Sequence, residues 1–140
     1  MEKKEVKMTR NEVFGLYRVL SPVKVKGMDV NSRRIIVGYM IDLGKIVKAA
    51  EEFQKVTVEA HKPENYETLQ ASKKESDKKE FEDMQKELEA SANEIINPYF
   101  NEEVTLMYEG ISSDELDKLA DLNDLTLGTV VFLNEKLILA

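Results

Sequence analysis

Apolar positions at Val13, Phe14, Leu16, Tyr17 and Leu20 fall on one stripe of a helix. The start of that helix is written in Met8-Thr9-Arg10-Asn11-Glu12-Val13. Thr9 reads as the N-cap, Glu12 three residues later completes a capping box, and Met8 and Val13 form a hydrophobic staple across it. Ser21-Pro22 ends the helix, because proline disfavours helical geometry in the residue before it. The Val-Lys alternation of Pro22-Val23-Lys24-Val25-Lys26 predicts a short extended piece, and Gly27 a turn.

Asn31 or Ser32 can cap a long second helix over 32–60. Ile36, Met40, Leu43, Val47 and Ala50 recur at steps of four and three, and Tyr39, Ile46 and Phe53 widen the stripe. A stripe that wide meets more than one neighbour. Gly38 and Gly44 inside it mark close helix approach or tolerated weakness. A third helix can start near Pro63, where proline suits a first turn. Residues 70–79 contain almost nothing apolar and read either as the wet stretch of a long helix or as a flexible break, after which Asp77 with Glu80 resembles a restarting cap. Phe81, Met84, Leu88, Ser91 or Ala92, and Ile95 then follow coiled-coil spacing, with Asn97-Pro98 as the stop. The second and third helices are expected to form an antiparallel hairpin, with Leu43, Val47 and Phe53 against Phe81, Leu88 and Ile95.

The last 40 residues change character. Glu103 to Glu109 alternates with period two, Val104, Leu106 and Tyr108 sharing one face, and Gly110 closes this strand. Its expected partner is Val23–Val25. Ser112 and Glu115 repeat the capping box, Ile111 and Leu116 the staple, and a short helix runs to Leu122. Asn123-Asp124 breaks it. Residues 125–138 read as a helix capped by Asp124 or Thr126, or as a strand over Thr129–Leu133; helix is the reading adopted. The fold expected is mostly α with a minor β element (α+β). It combines a long antiparallel helical hairpin, a short strand and small C-terminal helices. One domain spans 1–140: a basic helical part (1–62), an acidic helix (63–100), and a strand plus short helices (101–140).

Composition narrows the function classes. The 140 residues include no Cys and one His, which excludes a disulfide framework, a thiol nucleophile and a zinc–thiolate site. No apolar run approaches the roughly 20 residues of a membrane span. Met1-Glu2-Lys3-Lys4-Glu5 mixes acids with bases and leads into no apolar core, so no signal peptide is expected. The net charge of -7 is unevenly spread. Residues 1–62 hold 13 basic and 8 acidic groups, residues 63–140 hold 7 and 19. Such a split fits a nucleic-acid face, a self-complementary assembly, or two solvated surfaces that pack together.

Catalytic groups are scarce. His61 sits at a helix end, where capping or exposure explains it better than proton transfer. No Gly-x-Ser-x-Gly turn and no glycine-rich phosphate loop occurs. Asp114, Asp117, Asp121 and Asp124 lie close in sequence, but from Asp121 an EF-hand pattern fails at the fifth and sixth places. No catalytic residue, metal or cofactor is assigned. The candidate interaction surface is basic: Lys4, Lys7, Arg10, Arg18, Lys24, Lys26, Arg33 and Arg34, with Lys3 beside them. Tyr17 and Tyr39 are either stacking groups within it or members of the core.

The stretch Met8-Thr9-Arg10-Asn11-Glu12-Val13-Phe14-Gly15-Leu16-Tyr17 resembles the opening of a loosely defined family of small tailed-phage and prophage proteins. These begin with a Leu-Thr-Arg-Asn-Glu-like helix. Lys26-Gly27, Tyr39, a charged helical middle and an acidic tail with a strand and a Leu-rich helix extend the likeness. Met8 in place of Leu and a longer C-terminal segment depart from it. The resemblance implies a viral context and brings no catalytic residues. The expectation is a non-enzymatic protein–protein interaction module of phage origin, in particle assembly or as a virion component. The alternative is a small regulator or inhibitor of a host protein, touching nucleic acid through the basic N-terminal half. The expected partner is a protein, either a second copy or a viral or host protein, with nucleic acid second and no membrane. The expected location is the cytoplasm of a bacterial host, or the virion.

Overall fold

A computed structural model of the chain describes residues 3–139. The elements in order are β1 (Lys4–Thr9), α1 (Arg10–Leu20), α2 (Val30–His61), α3 (Tyr66–Ala71), α4 (Glu75–Asn101), β2 (Glu103–Tyr108), α5 (Ser113–Leu122) and α6 (Leu127–Leu137). The fold is therefore mostly α with a minor β element. Its contacts gather into two compact units. Unit 1 joins Met1–Lys48 to Glu103–Ala140, and unit 2 is Ala49–Glu102. Helix α2 passes from one unit into the other.

In unit 1, β1 and β2 pair antiparallel, with Met8 opposite Val104, Val6 opposite Leu106 and Lys4 opposite Tyr108. Val6, Met8, Leu106 and Tyr108 face the core. The partner expected for β2, Val23–Val25, is instead loop, with Val23 and Val25 packed on the core surface. The strand over 4–9 was hidden because only Val6 and Met8 alternate, among lysines and a glutamate that suit an edge strand.

The capping box forms as the sequence predicts. Glu12 N–H donates to Thr9 Oγ1 at 3.2 Å, and Thr9 N–H donates back to Glu12 Oε1 at 3.2 Å. The staple residues Met8 and Val13 are fully buried. Ser112 caps α5 through Glu115 N–H, as expected, but Glu115 does not close the box. Its buried carboxylate accepts Asp29 N–H at 3.1 Å and Lys118 Nζ at 2.8 Å. Asp29, rather than Asn31 or Ser32, caps α2: its carboxylate accepts Ser32 N–H at 2.8 Å and Ser32 Oγ at 3.1 Å. A carboxylate there is favoured by the helix dipole.

Residues 127–137 are helical, capped by Thr126 through Thr129 N–H. Leu133 and Leu137, one turn apart, are completely buried, and this outweighs the β-branched run before them. The C-terminal carbonyl of Leu137 is satisfied twice, by Tyr108 Oη–H at 2.9 Å and by Ile111 N–H at 3.2 Å. Gly110 has φ +84, and a Cβ there would meet Leu139 at 3.2 Å. Asp124, with φ 51, takes the left-handed position after α5, where Leu125 N–H reaches back to Ala120 C=O.

In unit 2 the end of α2 and α4 run antiparallel, joined through α3. Phe53 stacks on Tyr99 at 3.8 Å between centroids, and Tyr66 tilts against Phe81 at 5.1 Å. Of the two readings of 70–79, wet helix or break, the structure has the break, at 72–74, where the chain has no apolar residue to hold a helix. Two core assignments change. Leu43 and Val47 belong to the core of unit 1. On α4 it is Ile96, not Ile95, that is buried, in line with Leu88 and Ala92. Those three repeat at steps of four, the ridge of a straight helix, whereas the 3.5-residue reading requires sustained supercoiling. Pro98 also fails to end α4, which runs on to Asn101. An internal proline costs about 3 kcal/mol, of which the stacking of Tyr99 on Phe53 offsets about 1 kcal/mol.

Candidate protein interface

The basic residues singled out by sequence are spread over four places in unit 1. Lys4 and Lys7 lie on β1, Arg10 and Arg18 toward the two ends of α1, Lys24 and Lys26 in the loop before α2, and Arg33 and Arg34 in the first turn of α2. Three residues apart on a strand, Lys4 and Lys7 point to opposite faces. Arg34 donates to Glu109 at 2.9 Å and to Asn31 at 3.0 Å. The Arg34 guanidinium in turn holds the Glu109 carboxyl below the usual range. Lys24 is fastened through its backbone: its N–H donates to Asn123 Oδ1 at 2.7 Å and its carbonyl accepts Asn123 Nδ2 at 2.8 Å.

Tyr39 is buried and stacks on Tyr108 at 4.1 Å, so it belongs to the core. Burial pushes its hydroxyl up to about 12 and raises that of Tyr108 further. The charge split also takes a different form in space. Unit 1 holds 13 basic and 13 acidic residues, and unit 2 holds 7 and 14. The basic N-terminal stretch folds with the acidic tail, and Lys136–Glu12 at 2.6 Å and Arg34–Glu109 at 2.9 Å tie the two together.

His61 lies in the last turn of α2, its Nδ1 2.7 Å from Thr57 C=O. A carbonyl only accepts, so Nδ1 carries the proton and the ring serves the helix end. Asp114, Asp117, Asp121 and Asp124 are exposed around α5. Among the described residues, no three His, Asp or Glu side chains come together as a metal site. No described helix is long and apolar enough to cross a membrane.

The feature that sequence reading missed is an apolar groove of about 540 Å³ along α2. Buried Leu20 and Ile36 lie among its lining residues, with Tyr17, Val23 and Val25 from the α1 side and Val37, Met40 and Ile41 from α2. Val37 is 49% and Ile41 56% exposed, unusual for branched aliphatic side chains on a helix otherwise packed on a core. Gly44 lets Tyr17 lie against α2: a Cβ there would sit 3.4 Å from the Tyr17 ring. Lys45 and Lys48 are the charged residues lining the groove, and no carboxylate joins them. The signal was present in the sequence as the width of the stripe over 36–53. Which flank of a wide stripe stays uncovered is set by neighbours far along the chain.

No family model, no curated protein and no solved structure matches this chain.

Proposed function

We propose that the protein is a non-enzymatic interaction module of phage origin that works by binding another protein, in particle assembly or as a virion component. The observation that carries this reading is the open apolar groove along α2. A surface of Val37 and Ile41 beside half-buried Val23, Val25 and Met40 is stabilised when another apolar surface covers it. The phage context rests on the likeness of residues 8–17 to the small tailed-phage proteins. The location that goes with this reading is the cytoplasm of a bacterial host or the virion.

A second reading is a regulator or inhibitor of a host protein, with nucleic-acid contact through the basic residues. Its support is the twofold excess of acidic over basic residues in unit 2, 14 against 7, a charge suited to a basic, nucleic-acid-binding surface on a host enzyme. The dispersal of Lys4 to Arg34 over four elements weighs against a continuous phosphate-binding face.

The test is affinity capture from infected cells with the wild-type chain and with Ile41→Asp, each followed by mass spectrometry. Ile41 is exposed, so the variant keeps its fold. A viral structural protein held by wild type and lost with Ile41→Asp supports the first reading. A host enzyme in its place supports the second. Identical recoveries from the two chains remove the groove from either.

A further inference from the structure

We infer that the groove along α2 receives helix α6 of a second copy of this chain; this rests on the interaction reading above and names its partner. The occupant must be a helix. The groove is walled by α1, the loop after it and α2, and neither strand lines it. An extended segment would find no backbone donors or acceptors there and would leave its own unpaired against aliphatic walls. A helix satisfies its backbone internally and presents only side chains.

The occupant must also be apolar along one stretch and acidic beyond it. Along α2 the lining residues Val37, Ile41 and Lys45 stand one turn apart, followed by Lys48. The stretch from Val37 to Lys48 covers about 16 Å of helix. The chain itself carries the complement. On α6, Leu127 is 80% and Val131 53% exposed, and Glu135 one turn further is exposed as well. Leu127, Val131 and Glu135 thus repeat the order of Val37, Ile41 and Lys45, with opposite charge at the third place. Gly128 beside Leu127 has open space where a side chain would stand, so the helix can approach closely. The neighbouring Lys136 does not spoil the match, because its ammonium is held by Glu12 at 2.6 Å.

The groove and the α6 face are different surfaces of one molecule. A contact between them is of donor–acceptor type, which closes into a ring, doubles into a two-fold pair or runs on as a chain. One 11-residue helix in a groove is a small interface, so a dissociation constant on the order of 0.1 mM is expected for a single contact.

Sedimentation equilibrium of the full chain up to about 1 mM, a concentration set by that affinity, tests the inference. Two charge-reversed variants are compared with wild type, Lys45→Glu/Lys48→Glu and Glu135→Lys. Wild type should show a mass that rises with concentration, and each variant alone should associate at least tenfold more weakly. Mixed in equal amounts the two variants should associate again, since the acidic groove of one then meets the basic α6 of the other. All three side chains are exposed, and unchanged thermal melting confirms the fold of each variant. A monomeric wild type overturns the inference, as does association that the variants leave intact or that mixing does not restore. A monomeric wild type that still captures another protein through Ile41 would leave the interaction reading standing and remove only the second copy. Monomer with no groove-dependent capture would remove both.

Discussion

Unit 1 and unit 2 are built from the same helical material by different means. Unit 1 encloses a continuous core that runs from Met8 through Leu16, Leu43 and Tyr108 to Leu119 and Leu137. Each of its helices starting within reach of a Ser, Thr or Asp is capped by that side chain: Thr9, Asp29, Ser112 and Thr126. Unit 2 buries Ala50, Tyr66, Leu69, Leu88, Ala92 and Ile96, and neither Asn65 nor Lys74 makes a side-chain cap bond. It also carries 14 acidic against 7 basic residues, where unit 1 is balanced. The difference teaches that local helix signals and a deep core reinforce each other. Unit 2, with a thinner core and like charges, is expected to open first, and its amides to exchange faster than those of α1, α5 and α6.

The largest expected effect breaks unit 1 at its centre. Leu119 has no exposure, and Leu119→Ala should cost about 3 kcal/mol in urea denaturation. If exchange in α3 and α4 accelerates equally, the two units are one cooperative body and the comparison fails. Next comes the tie between α5 and the start of α2. Glu115→Ala removes the acceptor of Asp29 N–H and should cost about 2 kcal/mol. Glu115→Gln keeps an acceptor and should recover part of this.

Capping offers a test in both directions. Thr9→Ala should lower stability by about 1 kcal/mol. Lys74→Asp, at an extended N-cap position without a side-chain bond, should raise the stability of unit 2 by about 0.5 kcal/mol. Slower exchange of the α4 amides in Lys74→Asp would confirm it, and unchanged exchange would refute it.

Acid should separate the units further. The Glu12 carboxyl is held low by Lys136 and Thr9, that of Asp29 by Ser32 N–H, and that of Glu109 by Arg34, all in unit 1. A carboxyl lowered in the folded state stabilises fully above its unfolded value, about 4.3 for Glu and about 3.9 for Asp. That contribution fades as pH falls through the folded value. Unit 1 should therefore weaken below about pH 4.3, while protonation relieves the like-charge repulsion of unit 2. Exchange followed by mass spectrometry at falling pH reads both. The smallest effect belongs to Lys136→Ala, about 0.5 kcal/mol for a partly exposed ion pair, which should also flatten the acid response of unit 1.

Much of unit 1 was legible before any coordinates. Capping box, staple and strand alternation act over three to six residues, so Thr9, Glu12, Ser112 and Val104–Tyr108 announce themselves. The true partner of β2 was not legible, because Val6 and Met8 sit among charges and the pairing joins residues about a hundred positions apart. The basic residues chosen as an interface were read by charge alone. Arg34 proved to be held by Glu109, which no spacing rule could reveal. The width of the stripe over 36–53 hinted at a second contact face, but which of its residues stay open, and that α6 keeps an open face, was not legible for a related reason: Val37 and Leu127 look like core residues in any window of sequence.

What the sequence determined by itself is the class of fold, the capped starts of α1, α5 and α6, and the lack of Cys with a single His. These depend on residue type and near-neighbour hydrogen bonding. Tertiary structure alone decided that β1 meets β2, that the charge halves combine into one balanced and one acidic unit, and that Val37, Ile41, Leu127 and Val131 stay uncovered. Whether an apolar side chain is buried depends on what distant segments bring against it, and no local pattern records that.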